Sequence, residues 1–176
     1  MKFNKQLAGI KILFLDVDGV MTDGRIIYND LGQEIKCFDV KDGNGIYLLI
    51  KAGIAVIIIS GRQSGVTEPR ARELGIQEVH QGIKDKGALC AQILQQKHLK
   101  PEEAAAMGDD VPDLALFEQV GLGIAVADAV PEALAAAQMI TKKRGGRGAI
   151  REVCEWILKA KDLWPYSDGS SGSSGK

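Results

Sequence analysis

Residues 54–59 read Ile-Ala-Val-Ile-Ile-Ile, an apolar run with no polar residue at either parity. A strand with one face in water alternates polar with apolar side chains. A strand this uniform belongs in the middle of a sheet covered on both faces. The run ends at Ser60-Gly61. Residues 11–15 form a second short core strand, and that one ends at Asp16. Further strands are expected at 78–80, 103–107, 124–126 and 139–140, alternating with helices at 45–52, 66–74, 85–98, 112–117, 131–136 and 149–161. Such alternation predicts an α/β fold, a Rossmann-like parallel sheet with helices on both faces. One segment departs from the pattern. Residues 26–28 and 34–38 are β-prone and flank the turn-forming Asn29-Asp30-Leu31-Gly32, so a β-hairpin over about 25–38 follows the first strand.

The chain has 176 residues, of which 45% are hydrophobic, enough for one domain over 1–166 with a sizeable core. Residues 167–176 are rich in Gly and Ser and are expected to be a disordered tail. A net charge of −1 offers no surface for a polyanion, so no nucleic-acid partner is expected. No apolar run is long enough to cross a bilayer, so no membrane partner is expected, nor an apolar leader before the domain. Cys37, Cys90 and Cys154 show no paired spacing, as expected of reduced thiols in a cytoplasmic protein.

The informative pattern is where the polar residues fall. Asp16 and Asp18 follow the first core strand, Ser60 follows the second, and Asp109, Asp110 and Asp113 follow a later one. Ligands of open α/β sheets bind beyond the carboxyl ends of the strands. Each piece alone is ordinary: Asp-x-Asp makes turns, and Gly108-Asp109-Asp110 suits a helix cap. Together they bring carboxylates and a hydroxyl to one crevice. An all-oxygen donor set selects Mg²⁺ over zinc or copper. His80 and His98 have no metal-ligand spacing, and Ser60 lacks the Gly-x-Ser-x-Gly elbow of a serine hydrolase. A carboxylate nucleophile suits phosphoryl transfer when a cation shields the approach of two anions. In that chemistry Asp16 attacks phosphorus, Asp18 moves the proton, and Lys86 neutralises charge on the phosphate oxygens.

These residues, in this order, resemble the haloacid dehalogenase superfamily. The likeness lies in Phe14-Leu15-Asp16-Val17-Asp18-Gly19-Val20, Ile59-Ser60-Gly61-Arg62, Lys86 and Met107-Gly108-Asp109-Asp110-Val111-Pro112-Asp113. The resemblance implies Asp16 as nucleophile and Asp18 as acid and base, with Ser60, Gly61 and Lys86 holding phosphate. It implies Mg²⁺ on Asp16, the Asp18 carbonyl and Asp109, supported by Asp110 or Asp113. The spacings between these motifs leave no room for a cap domain.

Within the superfamily the chain is similar to the capless 3-deoxy-D-manno-octulosonate 8-phosphate (KDO 8-phosphate) phosphatases of lipopolysaccharide synthesis. The matching stretches are 16–24, 38–46, Ser60-Gly61-Arg62, His80-Gln81-Gly82 and 145–152. That family implies a homotetramer built through the hairpins, with residues 145–148 as a tail reaching a neighbouring site and Arg147 in anion contact. Arg62 and Arg70 are expected to hold a sugar-acid carboxylate. Relatives acting on nine-carbon sialic-type acids commonly carry glutamate at the position of Arg62. Three alternatives stay open: a phosphatase of those acids or of sugar phosphates broadly, an inactive phosphatase-like oligomerisation module, and a phospho-acceptor receiver domain.

Overall fold

A computed structural model describes residues 3–166; the tail expected at 167–176 lies outside the described residues. The strands are β1 (Ile12–Leu15), β2 (Ile27–Tyr28), β3 (Glu34–Ile35), β4 (Ala55–Ile59), β5 (Glu78–His80), β6 (Ala104–Gly108), β7 (Leu122–Ala125) and β8 (Met139–Ile140). The helices are α1 (Asn4–Gly9), α2 (Val40–Lys51), α3 (Thr67–Leu74), α4 (Lys86–Gln96), α5 (Leu114–Phe117), α6 (Pro131–Ala136) and α7 (Ala149–Ala160). Six strands pair in parallel in the order β5-β4-β1-β6-β7-β8, while β2 and β3 form a separate antiparallel ribbon. Among the described residues no helix is long and apolar enough to cross a membrane.

The sheet explains the apolar runs. Every residue of β1 and β6 is buried, and so are Val56 to Ile59 of β4. Helices α1, α2, α3 and α7 contact one another, and α4, α5 and α6 form a second contacting group, as two covering layers require. From β1 the chain goes to β4 and β5 on one side, then returns to β6, β7 and β8 on the other. The order of strands therefore reverses at β1, and β1 delivers Asp16 to the reversal point.

Two departures from expectation stand out. Helix α2 begins at Val40, earlier than 45, because the Asp39 carboxylate caps it by accepting from the N–H groups of Lys41 at 2.6 Å and Asp42 at 3.4 Å. Helix α1 was not expected; it buries only Leu7 and packs on α7.

Residues 145–148, read as a tail reaching a neighbouring site, pack on their own chain. The N–H of Gly146 donates to the Val20 carbonyl at 2.9 Å, and that of Gly145 donates to Asp128 Oδ1 at 2.9 Å. A Cβ on residue 145 would lie 1.6 Å from the Gly19 carbonyl oxygen, so only glycine lets the strap close on the turn after Asp18.

Asp42 pins the far end of this strap. Its carboxylate, 3% exposed, accepts from Gly148 N at 3.1 Å and from Arg151 N at 2.7 Å, capping α7 from a different helix. Burial raises its pKa from 3.8 to about 6 against the pull of these two donors. A raised carboxyl pKa contributes stability that is present below 3.8 and lost as the pH climbs through about 6. Asp42→Asn removes the titration. In urea unfolding, the stability of wild type minus that of the variant is expected to fall by up to about 3 kcal/mol between pH 4 and pH 7. A difference independent of pH would contradict this.

Candidate active site

The ends of β1, β4 and β6 lie side by side, and their following residues converge on one cavity of about 160 Å³. Asp16, Asp18, Ser60, Gly61, Arg62, Lys86, Asp109, Asp110 and Asp113 line it, with Pro112. Most of the residues singled out in the sequence therefore meet in one place.

At the floor is a buried ion triad. Lys86 Nζ donates to Asp16 Oδ1 at 2.8 Å and to Asp113 Oδ1 at 2.7 Å. Lys86 is the first residue of α4, whose N-terminus is capped by Asp85 accepting from Ala88 N. Burial by itself would lower the Lys86 pKa, but Asp16 and Asp113 outweigh it and the net shift is upward. Asp113 uses its other oxygen to accept from Asp109 N at 2.9 Å and Asp110 N at 3.3 Å, which shapes the turn after β6. It is thus a brace as well as a charge.

The cluster is short of positive charge. Burial, then the nearby Asp113, lifts the Asp16 carboxyl to about 6 despite Lys86. Burial, then Asp16, Asp113 and Asp110, lifts Asp109 to about 8. Carboxylate oxygens of Asp16, Asp109 and Asp113 come within 4.8 Å of one another, and Asp109 Oδ1 is buried without a hydrogen-bond partner. An orphaned carboxylate oxygen beside two others is what a hard divalent cation satisfies. Gly19 makes room for it. A Cβ there would lie 2.0 Å from Asp109 Oδ2, and the residue has φ of +93°, a conformation that favours glycine.

Above the floor, Asp18 pairs with Lys36 and lies 3.7 Å from Arg62 Nη1. Arg62 Nη2 donates to Glu34 Oε1 at 2.9 Å, and the Ser64 hydroxyl bonds Glu34 Oε2. Glu34 and Lys36 belong to the hairpin arm and were not singled out in the sequence. The one available signal was the alternation Glu34-Ile35-Lys36, which puts both charges on one face of the strand. Arg70 and Arg147 do not join the cluster. Arg70 pairs with Glu73 at 3.1 Å and stacks over Phe38, and Arg147 pairs with Asp23 at 3.2 Å.

Comparison with known proteins agrees with this chemistry. Residues 76–152 match the model of the haloacid dehalogenase-like hydrolases. The curated 3-deoxy-D-manno-octulosonate 8-phosphate phosphatase of Yersinia pestis is 46% identical over 167 residues, covering 95% of this chain and 89% of the relative. The Escherichia coli (strain K12) phosphatase of the same name is 41% identical over 162 residues, covering 92% and 86%. A crystal structure of the Moraxella catarrhalis phosphatase, in complex with a magnesium ion, a phosphate ion and a KDO molecule, superposes with a TM-score of 0.89 at 41% identity. It covers 92% of each chain.

The crowding of carboxylates predicts a trade-off. In chelator, Asp109→Asn is expected to unfold at a higher temperature than wild type, because burial and the neighbouring acids disfavour the Asp109 carboxylate and a neutral amide avoids that cost. Millimolar Mg²⁺ is expected to raise the midpoint of wild type but not of the variant. A variant that responds to Mg²⁺ as wild type does would contradict the placement of the cation.

Proposed function

The chain belongs to the 3-deoxy-D-manno-octulosonate 8-phosphate phosphatases among the haloacid dehalogenase-like hydrolases, and we propose that it cleaves this ester by a covalent route through Asp16. It is a phosphoric monoester hydrolase that releases the sugar acid and inorganic phosphate, with Mg²⁺ as cofactor. The observation that carries the route is the triad: Lys86 holds one oxygen of Asp16 at 2.8 Å at the point where the strand order reverses.

Asp16, the Asp18 carbonyl and Asp109 would hold the cation, with Asp110 or Asp113 in support. When bound, Mg²⁺ supplies the positive charge that lets an anionic ester approach an anionic nucleophile. Ser60, Gly61 and Lys86 hold the phosphate oxygens, and the Lys86 ammonium offsets charge that grows on them. An oxygen of Asp16 bonds to phosphorus as the ester phosphorus–oxygen bond breaks. The proton of the Asp18 carboxyl passes to the departing ester oxygen. Asp18 then takes a proton from water, whose oxygen attacks the aspartyl-phosphate, releasing phosphate and restoring Asp16. Arg62 is the group for the sugar-acid carboxylate; its Nη1 is buried without a hydrogen-bond partner.

The place of action is cytoplasmic, in lipopolysaccharide synthesis, and the working form is a homotetramer. Exposed Ile26, Ile27, Tyr28, Leu31 and Ile35 on the hairpin support assembly. A monomeric mass in sedimentation would overturn that assembly.

Phosphate release from KDO 8-phosphate, with and without chelator, tests the chemistry. Wild type is expected to need Mg²⁺, and Asp16→Asn to lose at least about a thousandfold in kcat. Hydrolysis by the Asn variant at the wild-type rate would exclude Asp16 as nucleophile.

A further inference from the structure

Asp18 is the group that must meet the ester oxygen, and its carboxylate is held from outside the turn that carries it. The hairpin holds it. Lys36, 18 residues further along the chain, reaches back so that its Nζ donates to Asp18 Oδ1, and its side chain is only 1% exposed. A lysine buried to that extent on an arm whose apolar residues are exposed is held for a reason, because burying an ammonium costs free energy unless it is paired. Its partners are Asp18 and, at 3.4 Å, Glu34 Oε1.

The alternation of β3 makes this possible. Glu34 and Lys36 point to the cavity side, while Ile35 between them is exposed and pairs across the ribbon with Ile27. Glu34 is braced in turn by Ser64 and Arg62. The result is a chain of contacts from Ser64 through Glu34 to Lys36 and Asp18, with Arg62 touching both acids.

We propose that Lys36 is a positioning residue for the reaction: by taking Oδ1 of Asp18 it leaves Oδ2, 3.7 Å from Arg62 Nη1, as the oxygen that exchanges the proton with the ester. The proposal rests on the reading of Asp18 as the acid. Its consequence is specific to the leaving group. A sugar alkoxide departs only with its proton, whereas p-nitrophenolate departs without one, so misplacing the acid harms only the first substrate.

The test compares kcat/KM, which reports the first phosphoryl transfer, for KDO 8-phosphate and p-nitrophenyl phosphate. Lys36→Met keeps the length and apolar stem of the side chain and removes the charge. It is expected to lose about tenfold to a hundredfold on the sugar ester and no more than about threefold on the aryl ester. Lys36→Arg, which keeps a charged donor, is expected to restore most of the loss on the sugar ester. Equal losses on both esters by Lys36→Met, or an Arg variant no better than Met, would overturn the proposal. Wild-type turnover of KDO 8-phosphate in the same series tests the phosphatase reading separately, since the proposal depends on the ratio between the two esters.

Discussion

Lys86 sits where a lysine is least welcome, buried and at the first residue of a helix whose N-terminal end already carries positive charge. Among the described residues, Asp16 and Asp113 are the carboxylates that pair with it. The triad ties three distant segments together: the end of β1, the turn after β6 and the start of α4. Removing Lys86 leaves two buried carboxylates facing each other without a cation, and breaking a buried pair in this way costs about 3–5 kcal/mol in proteins generally. The arrangement is therefore poor economy for stability alone. It makes sense as a preorganised field in which the ammonium already faces the nucleophile before an ester arrives.

The rest of the site is built outward from that point. Asp113 shapes the turn that presents Asp109, Gly19 opens the space Asp109 occupies, and the strap at 145–148 closes over the turn containing Gly19. Asp42, on α2, then locks the strap to α7. These contacts, of which those of the strap with Val20 and Asp42 span more than 100 residues of chain, hold a cavity large enough for a phosphate group. Among the described residues no separate cap domain covers it. The hairpin arm supplies Glu34 and Lys36 instead, and its outward apolar residues are free for another surface.

Much of this was legible in the sequence. The runs of β1 and β4 are apolar throughout because both faces of the sheet are covered, so their polar terminators stood out as ligands of the crevice. The hairpin was legible from its turn, but its role was not. Its strands are two residues each, and their contacts with Asp18 and Arg62 span 18 and 28 residues, beyond any local pattern. Helix α2 was placed too late because Gly43 and Gly45 weaken the helical signal, although Asp39 caps the true start. Arg70 was expected beside Arg62, yet α3 turns it toward Phe38 and Glu73. Side-chain direction on a helix depends on which face packs inward, and spacing alone does not specify it.

The central claim is that Asp16 becomes covalently phosphorylated. The direct measurement uses Asp18→Asn, which keeps the nucleophile but lacks the base needed to activate water. Acid quenching of this variant during turnover of p-nitrophenyl phosphate, followed by proteolysis and mass spectrometry, locates any phosphoryl group. The account predicts the added mass of one phosphoryl group on the peptide containing Asp16. A phosphoryl group on another residue, or turnover with none trapped, would contradict it.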